Sequence, residues 1–550
     1  MYIKRLSSVL SSAMSLPLAN AQDDSTTVSA ILREVPGRGW QRRALILDAS
    51  SGKPICQRIG GLPYARPLTP ADRFRRGKPL PSGFQYGSKD NPTDCTGLAF
   101  ECPQAKPYPS MREDCLQMNI WIPEGQSPPG GGWPVFFYIF GGFLQVGSPN
   151  GEGPVNLYRY SSYRAIYVSF TYRLNALGFL AAQELIDVDS VTGNVGLWDQ
   201  RLALEFVAAE ISNYGGNPKN ITIGGLSAGA YSTFHQLAYS LSLPVQDAHI
   251  RRVVMWSNGC GLQPKTVKDA QVGFDQLIAA LNISKSLSAA EKVARLRATP
   301  WKELIAAVEK VPYNSFRAVT DGQFVRQTLF EELFSGSFAK QMKQRGIKMM
   351  IGDCRDEETA YRLIKPPNSF STLLRRLEVE FRADLVQRVV KEYCLDRNLP
   401  KEYSTWQDLF GRIYSDLQVH MTERGLISAL SPILPDDHIF RYRIETRAKM
   451  LDKVMSQSLG VTHGSCLCFW FMGHNFGMRD ELSESDTKLA KDLVEPLAQF
   501  IRNGEPKWET SSIHQVRLLD GHGTRTVLDP WWDRCIPVWR RIHGLDRQRL

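Results

Sequence analysis

The pentapeptide GLSAG at residues 225–229 has the residue types and spacing of a nucleophilic serine site. A β-rich run, NITI, leads into it, and a helix-compatible stretch follows it. A serine at such a strand–helix junction lies on a strained turn with positive φ, which projects its hydroxyl from the sheet. Gly225 and Gly229 let the strand and the helix pack closely around that turn. The helix also points its positive end, with the Ala228 N–H, at any oxyanion that forms there. The motif predicts that Ser227 is a nucleophile.

Such a serine needs a general base, and the base needs an acid that orients it. In this strand–turn–helix setting both partners follow the serine in the chain, and all nine histidines do so. His235 lies eight residues after Ser227 on the outgoing helix, so its side chain cannot reach back to the serine. It is interpreted as a packing or surface residue. Residue chemistry leaves eight candidates for the base: His249, His420, His438, His463, His474, His514, His522 and His543.

The elements around the motif favour an α/β fold. Apolar runs at residues 133–140, 165–172 and 221–224 predict strands, and residues 201–211 have the spacing of a helix. This alternation is typical of a mostly parallel sheet covered by helices on both faces. From about residue 288 to residue 459 the chain changes to charged amphipathic helices such as 373–393, interrupted by a strand candidate at 348–351. We interpret them as a helical insertion in one catalytic domain.

Composition excludes several classes of protein. Of 550 residues, 43% are apolar and 22% charged, as in ordinary globular proteins. The net charge of +10 is dispersed, and no basic run predicts a nucleic-acid or lipid-surface partner. No apolar run reaches the roughly 18 residues of a membrane span, so no stable membrane insertion is expected. No cysteine pair has the spacing of a metal site, and we expect neither a metal nor a cofactor.

The N-terminus predicts a signal peptide over residues 1–21. Lys4 and Arg5 precede an apolar stretch, and ANA at residues 19–21 has the form of a cleavage site. The mature chain would then be a secreted single domain over residues 22–550. Five serines dilute the apolar stretch, so a disordered leader on a cytoplasmic protein is the alternative. After secretion Asn282 is the better glycan acceptor, since the other sequon, at Asn220, leads into a core strand.

Longer motifs occur around the pentapeptide in a fixed order: GLPYARP at residues 61–67, EDCL at 113–116, YRLN at 172–175, NVGLWDQR at 194–201 and GGNP at 215–218. With these motifs the chain resembles the type-B carboxylesterase/lipase family, which includes cholinesterases and fungal lipases, over roughly residues 43–506. The resemblance implies an α/β-hydrolase fold, with the helical insertion between the catalytic acid and the catalytic histidine.

The resemblance also assigns the acid and the base. GDCRDEET at residues 352–359 is similar to the family's G-x-x-x-D-E-G-T, which makes Glu357 the acid. Asp356 and Glu358, the latter in place of the family's glycine, rank lower and are interpreted as solvated loop carboxylates. His463, in GVTHG at residues 460–464, matches the family's histidine.

The oxyanion loop departs from the family pattern. FGGFL at residues 140–144 has Phe143 where the family has its third glycine. Because main-chain N–H groups hold an oxyanion, Gly142, Phe143 and Ala228 remain the expected donors. The Phe143 ring would narrow the substrate pocket. Leu226, where the family often has glutamate, would make that pocket more apolar.

Two cysteines match the first disulfide bond of the family, Cys102 and Cys115, which would close a loop of only 13 positions. The loop contains no tryptophan to stack on a quaternary ammonium group, so a choline ester is not the expected substrate. Where the family usually has a glutamate three residues after its histidine, this chain has Cys466.

The sequence therefore predicts a serine carboxylic ester hydrolase that acts on a small or medium apolar ester through an acyl-enzyme. Two alternatives remain open: an acyltransferase or lactone-forming enzyme with the same triad, or a non-catalytic binding protein on the hydrolase fold. The sequence leaves the oligomeric state open.

Overall fold

A computed structural model describes residues 26–312, 316–473, 482–508 and 512–545. The predicted signal peptide at residues 1–21 and the candidate base His474 lie outside these ranges. The strands, numbered in chain order, are β1 (Thr26–Val35), β2 (Gly39–Asp48), β3 (Pro54–Pro63), β4 (Thr93–Cys95), β5 (Gln117–Pro123), β6 (Trp133–Ile139), β7 (Ile166–Phe170), β8 (Gly216–Leu226), β9 (Ile250–Trp256), β10 (Lys348–Cys354), β11 (Ile439–Ile444), β12 (Gln515–Asp520) and β13 (Gly523–Leu528).

These thirteen strands form one sheet in the order β1-β2-β3-β5-β7-β6-β8-β9-β10-β11-β12-β13, with β4 paired to β2. From β7 to β12 neighbouring strands are parallel, whereas the pairs at both ends of the sheet are antiparallel. The central strands β6 (WPVFFYI) and β7 (IYVSF) are buried along their whole length. A strand without polar alternation is stable only when both faces of its sheet are covered. The predicted mostly parallel α/β sheet is confirmed.

Helices cover the sheet on both faces. They are α1 (Val155–Tyr160), α2 (Asn175–Phe179), α3 (Gln183–Asp189), α4 (Val195–Glu210), α5 (Ala228–Ser242), α6 (Val267–Ala280), α7 (Ala289–Ala298), α8 (Trp301–Lys310), α9 (Leu329–Phe334), α10 (Ser337–Gln344), α11 (Glu358–Tyr361), α12 (Phe370–Glu378), α13 (Ala383–Tyr393), α14 (Trp406–Ser415), α15 (Met421–Leu430), α16 (Leu467–Trp470), α17 (Glu484–Asn503) and α18 (Trp532–His543). None of the helices in the described ranges is long and apolar enough to cross a membrane.

The amphipathic stretch 373–393 is two helices, so the single helix predicted there is wrong. Helix α12 ends at Glu378 and α13 begins at Ala383. At the break the Val379 carbonyl accepts a hydrogen bond from the Lys265 ammonium group, 3.1 Å away, instead of continuing the helical ladder. The break leaves Glu380 buried, where it meets two arginines of the site described below.

Candidate active site

Ser227 occupies the turn between β8 and α5. Its backbone has φ +58° and ψ −123°, the strained positive-φ conformation that the pentapeptide requires. A Cβ atom on Gly225 would lie 2.2 Å from the Ile139 carbonyl oxygen, and one on Gly229 would lie 1.9 Å from the same atom. Only glycine fits at either position because the turn packs directly on the end of β6.

The predicted site residues come together because parallel strands end at one edge of the sheet. Gly142 and Phe143 follow β6, Ser227 follows β8, and Glu357 lies three residues beyond β10. His463 arrives on a longer segment after β11. The carboxyl edge of an open α/β sheet is where such folds bind ligands, since loops from neighbouring strands meet there.

Glu357 and His463 form a buried pair. His463 Nδ1 lies 2.5 Å from Glu357 Oε2, and Glu357 Oε1 accepts a hydrogen bond of 2.8 Å from the Cys354 N–H. Glu357 is fully buried. Because the carboxylate accepts the Nδ1 proton, the neutral imidazole carries its lone pair on Nε2, the nitrogen that can act as a base.

Asp356 ties the acid loop to the histidine loop. Its N–H donates to the Val461 carbonyl at 3.0 Å, and its Oδ2 accepts from the Val461 N–H at 2.8 Å. Glu358 is half-buried and pairs with Arg412 at 2.9 Å. The interpretation of both as solvated loop carboxylates is therefore wrong. Asp356 joins the acid loop to the histidine loop, and Glu358 forms an ion pair with Arg412 of α14.

Other histidines are engaged elsewhere. His235 is buried in α5 beside Tyr231, and burial lowers its pKa to about 3. His420 lies 2.7 Å from Asp353 and stacks on Trp531. Within the described ranges, no three His, Cys, Asp or Glu side chains are grouped so as to hold a metal ion.

Tyr361 belongs to the site, although the sequence analysis did not identify it. Its hydroxyl oxygen lies 3.2 Å from His463 Nδ1 and 3.3 Å from Nε2, and its ring packs on the histidine ring at a centroid distance of 4.8 Å. Burial, together with the Glu357 carboxylate, raises the pKa of Tyr361 well above its usual value. The sequence feature that could have identified Tyr361 is its four-residue spacing from Glu357, which places both residues on the same side of one helical turn.

The oxyanion loop has three consecutive residues with positive φ. The values are +113° at Gly142, +60° at Phe143 and +63° at Leu144. A Cβ atom on Gly142 would lie 1.9 Å from the Val146 carbonyl oxygen. The hydrogen bonds of the described residues do not engage the N–H of Gly142 or of Phe143, so both are free to donate to a developing oxyanion.

Arg317 holds this strained loop, and sequence reasoning missed it. Its guanidinium donates to the Phe143 carbonyl, to Glu380 at 2.9 Å and to the Tyr414 hydroxyl at 3.1 Å, and it lies over the Phe143 ring. Burial raises the pKa of Glu380, but the charges of Arg317 and Arg376 outweigh it and hold that pKa at about 2. The ion pairs of Glu380 with Arg317 and Arg376 therefore stay charged. No sequence motif lies near these residues.

A cavity of about 50 Å³ opens at Ser227. Apolar side chains dominate its lining, with the Arg317–Glu380 pair and Gln418 as polar members. Leu226, expected in the pocket, is buried instead beside Gly464 of the histidine loop. The lining residues are Phe143, Leu144, Ser227, Ala228, Tyr231, Gly261, Leu262, Pro264, Arg317, Ala318, Glu380, Phe381 and Gln418.

A larger groove of about 370 Å³ lies between α4 and residues 76–86. Its lining includes Trp198 and Phe206 but none of the predicted site residues.

Cys102 and Cys115 form a disulfide bond, and the other eight cysteines are buried thiols. The closed loop carries Gln104, whose amide brackets Gly147: its oxygen accepts from the Gly147 N–H at 2.7 Å, and its nitrogen donates to the Gly147 carbonyl at 2.8 Å. Gly147 packs against Phe140 of the oxyanion loop. The loop closed by the disulfide bond therefore supports the oxyanion loop through Gln104 and Gly147.

Residues 48–524 match the carboxylesterase family. A carboxylic ester hydrolase of Gibberella moniliformis is 40% identical over 512 residues, covering 90% of this chain and 93% of the relative. An uncharacterised esterase/lipase of Schizosaccharomyces pombe is 35% identical, covering 93% of this chain and 96% of the relative. A cholinesterase of Mus musculus is more distant, at 26% identity over 81% of this chain and 75% of its own.

Proposed function

Because this chain belongs to the carboxylesterase family, we propose that it is a serine carboxylic ester hydrolase that works through an acyl-enzyme. The observation that carries the proposal is the hydrogen-bonded Glu357–His463 pair, at 2.5 Å, at the same sheet edge as the strained Ser227 turn. A nucleophile, a base and an orienting acid are the set that acyl transfer through serine requires.

Acylation begins when Ser227 Oγ attacks the ester carbonyl and His463 Nε2 takes up the serine proton. Glu357 stabilises the imidazolium that forms. The N–H groups of Gly142, Phe143 and Ala228 hold the tetrahedral oxyanion. His463 then protonates the leaving alcohol, and water resolves the acyl-enzyme through the same groups.

The cavity supports a small or medium uncharged ester as substrate. Its volume of about 50 Å³ and its apolar lining favour short acyl groups. Phe143 lines this space and is fixed by ring contacts with Tyr361 and Tyr414, at centroid distances of 6.1 and 6.4 Å. The ring therefore limits the length of the acyl group.

Hydrolysis of p-nitrophenyl esters of increasing chain length tests the proposal. We expect turnover, a phosphonate adduct that mass spectrometry maps to Ser227, and a loss of about 10³-fold or more in Ser227→Ala. Ser232→Ala is the matched control, since this buried serine lies on α5, the helix that follows Ser227, and accepts a hydrogen bond from Gln200. Near wild-type activity of Ser227→Ala would refute the proposal.

Product analysis separates hydrolysis from acyl transfer. When the substrate is an ester of a simple alkyl alcohol and a primary alcohol is added, a hydrolase releases the free acid as the main product. If the new ester or a lactone dominates in water, the same residues serve an acyltransferase instead.

A further inference from the structure

Two polar side chains in the lining of the Ser227 cavity, Tyr231 and Gln418, have hydrogen-bonding groups that the described residues leave unused. Gln418 Oε1 accepts a hydrogen bond from the Asn258 amide at 3.4 Å. Within the part of the chain that the structure describes, Gln418 Nε2 donates to no atom, and neither does the Tyr231 hydroxyl. Both groups stay accessible, and both residues line the cavity. They are therefore available to a substrate that enters it.

Tyr231 lies one helical turn beyond the nucleophile. Its N–H donates to the Ser227 carbonyl at 2.9 Å, so the two residues lie on the same side of α5. Helical side chains lean towards the N-terminus of their helix, which here is the end that carries Ser227. The ring is fixed by His235, at a centroid distance of 4.4 Å, and by Gly261, where a Cβ atom would lie 3.1 Å from the ring. Burial raises the pKa of Tyr231, so the hydroxyl is neutral at ordinary pH and can donate.

Gln418 is held by the same loop after β9 that carries Gly261. It lies in a π-helical turn (Asp416–His420) between α14 and α15, and its main-chain oxygen accepts from the Gly259 N–H at 3.1 Å. The Asn258 amide engages the side-chain oxygen, which leaves Nε2 as the end of the amide that can serve the cavity. One loop therefore fixes both polar side chains, and a π-helical turn is a frequent feature of functional sites.

An alkyl chain that fills this cavity would leave both donors without an acceptor. The cavity measures only about 50 Å³, so an acyl group that occupies it keeps other acceptors away from both side chains. A buried donor without an acceptor is unfavourable, and a site that contains one discriminates against a substrate that lacks the matching oxygen. Among the charged groups of the lining, Arg317 and Glu380 already pair with each other at 2.9 Å.

We propose that Tyr231 and Gln418 form a polar subsite that selects esters whose acyl chain carries an ether or carbonyl oxygen. The Tyr231 hydroxyl and the Gln418 amide donate to that oxygen while Ser227 attacks the ester carbonyl. The substrate class is therefore a short, uncharged acyl ester with an oxygen in its chain, in preference to a simple alkanoate. This inference rests on the proposed esterase function and specifies its acyl group.

Two p-nitrophenyl esters of equal chain length, the 3-methoxypropionate and the pentanoate, test the subsite. The ratio of their kcat/KM values is measured in the wild-type protein, in Tyr231→Phe and in Gln418→Met, which each remove one donor and keep the size of the side chain. The intrinsic reactivity of the two esters cancels when these ratios are compared between proteins. Tyr239→Phe is the matched control, because this half-buried tyrosine lies on α5 outside the cavity lining.

We expect the ratio of the ether ester to the alkyl ester to fall about fivefold in Tyr231→Phe and in Gln418→Met, the effect of one neutral hydrogen bond. Tyr239→Phe should keep the wild-type ratio. A ratio within about twofold of wild type in either variant would overturn the subsite of two donors. Turnover of the pentanoate and a Ser227 adduct would then leave the esterase assignment intact, whereas no turnover of either ester and no adduct would refute the esterase itself.

If either variant fails to fold, the wild-type protein alone tests the subsite. The ether oxygen is moved along the chain in the methoxyacetate, the 3-methoxypropionate and the 4-methoxybutyrate. The kcat/KM of each ester is divided by its hydroxide-catalysed rate and compared with the same quantity for its alkyl isostere. Donors in fixed positions predict a maximum at one position of the oxygen. A flat series would overturn the proposal.

Discussion

The guanidinium of Arg317 donates a hydrogen bond to the main-chain oxygen of Phe143, 174 positions earlier in the chain. Phe143 has φ +60°, a conformation that costs a non-glycine residue of the order of 1–2 kcal/mol. Its own N–H is one of the expected oxyanion donors. The contact thus fixes a strained peptide whose orientation matters for the reaction, through a residue outside every recognisable motif.

Arg317→Gln should lower kcat about tenfold and change KM less, because the peptide that donates to the oxyanion loses its support. Phe143→Gly restores a residue that adopts positive φ without strain. The loss of kcat caused by Arg317→Gln should therefore be smaller in the Phe143→Gly background than in the wild-type protein. Steady-state kinetics of the four proteins measure this coupling, and strictly additive effects on kcat would contradict it.

A neutral ester should be preferred over its cationic isostere. Leu226 replaces the carboxylate before the nucleophile, and the carboxylate that lines the cavity, Glu380, is already neutralised by Arg317 and Arg376. A quaternary ammonium group would lose its hydration beside the Arg317 guanidinium, with no unpaired carboxylate in the lining to offset that loss. We expect kcat/KM for 3,3-dimethylbutyl acetate to exceed that for acetylcholine by at least about tenfold. Equal values would show that the aromatic rings of the lining, Phe143, Tyr231 and Phe381, hold the ammonium group well enough to offset this loss.

Glu423 should make the protein less stable as the pH rises. Burial and the neighbouring Asp353 charge raise its pKa to about 8, and neither of its carboxylate oxygens has a hydrogen-bond partner. In the unfolded chain a glutamate has a pKa of about 4.3. Since the folded state holds the proton more tightly, this contribution to stability is fully present below about pH 4 and is lost as the pH rises to about 8.

Glu423→Gln should therefore flatten the decline of the free energy of unfolding between pH 5 and pH 9, by up to about 1.4 kcal/mol per pH unit. Urea titrations at several pH values measure the difference from wild type. Glu309→Gln, on the exposed face of α8, is the control and should follow the wild-type profile. Parallel profiles for Glu423→Gln and wild type would rule out a buried proton on this residue.

Removing the disulfide bond should destabilise the protein and affect the oxyanion loop. Replacing Cys102 and Cys115 by alanine should lower the free energy of unfolding by about 3 kcal/mol, since a loop of 13 positions is no longer closed in the unfolded chain. Gln104→Ala keeps the disulfide but releases Gly147, so it should lower kcat with a smaller loss of stability. A double alanine variant with the free energy of unfolding of the wild-type protein would contradict this role.

Local patterns in the sequence predicted the elements that local physics determines. The buried runs of β6, β7 and β8 and the turn at Ser227 could be predicted, because each depends on residues a few positions away in the chain. Gly225 and Gly229 could be predicted from the pentapeptide, although the atom that excludes a side chain there, the Ile139 carbonyl oxygen, belongs to a strand far earlier in the chain. The boundary between α12 and α13 was not, since the Val379 carbonyl turns to Lys265, 114 positions away in the chain.

Choosing His463 among the histidines needed the family resemblance, because sequence chemistry leaves eight candidates equal. Only the tertiary structure showed what surrounds the pair: Tyr361 packed on the His463 ring, Asp356 joining the two loops, and Arg317 on the Phe143 carbonyl. These contacts depend on loops that meet because parallel strands end at one sheet edge. Residue types and spacing therefore determine the reaction that this chain can support, whereas packing across long sequence separations decides how the reacting groups are held.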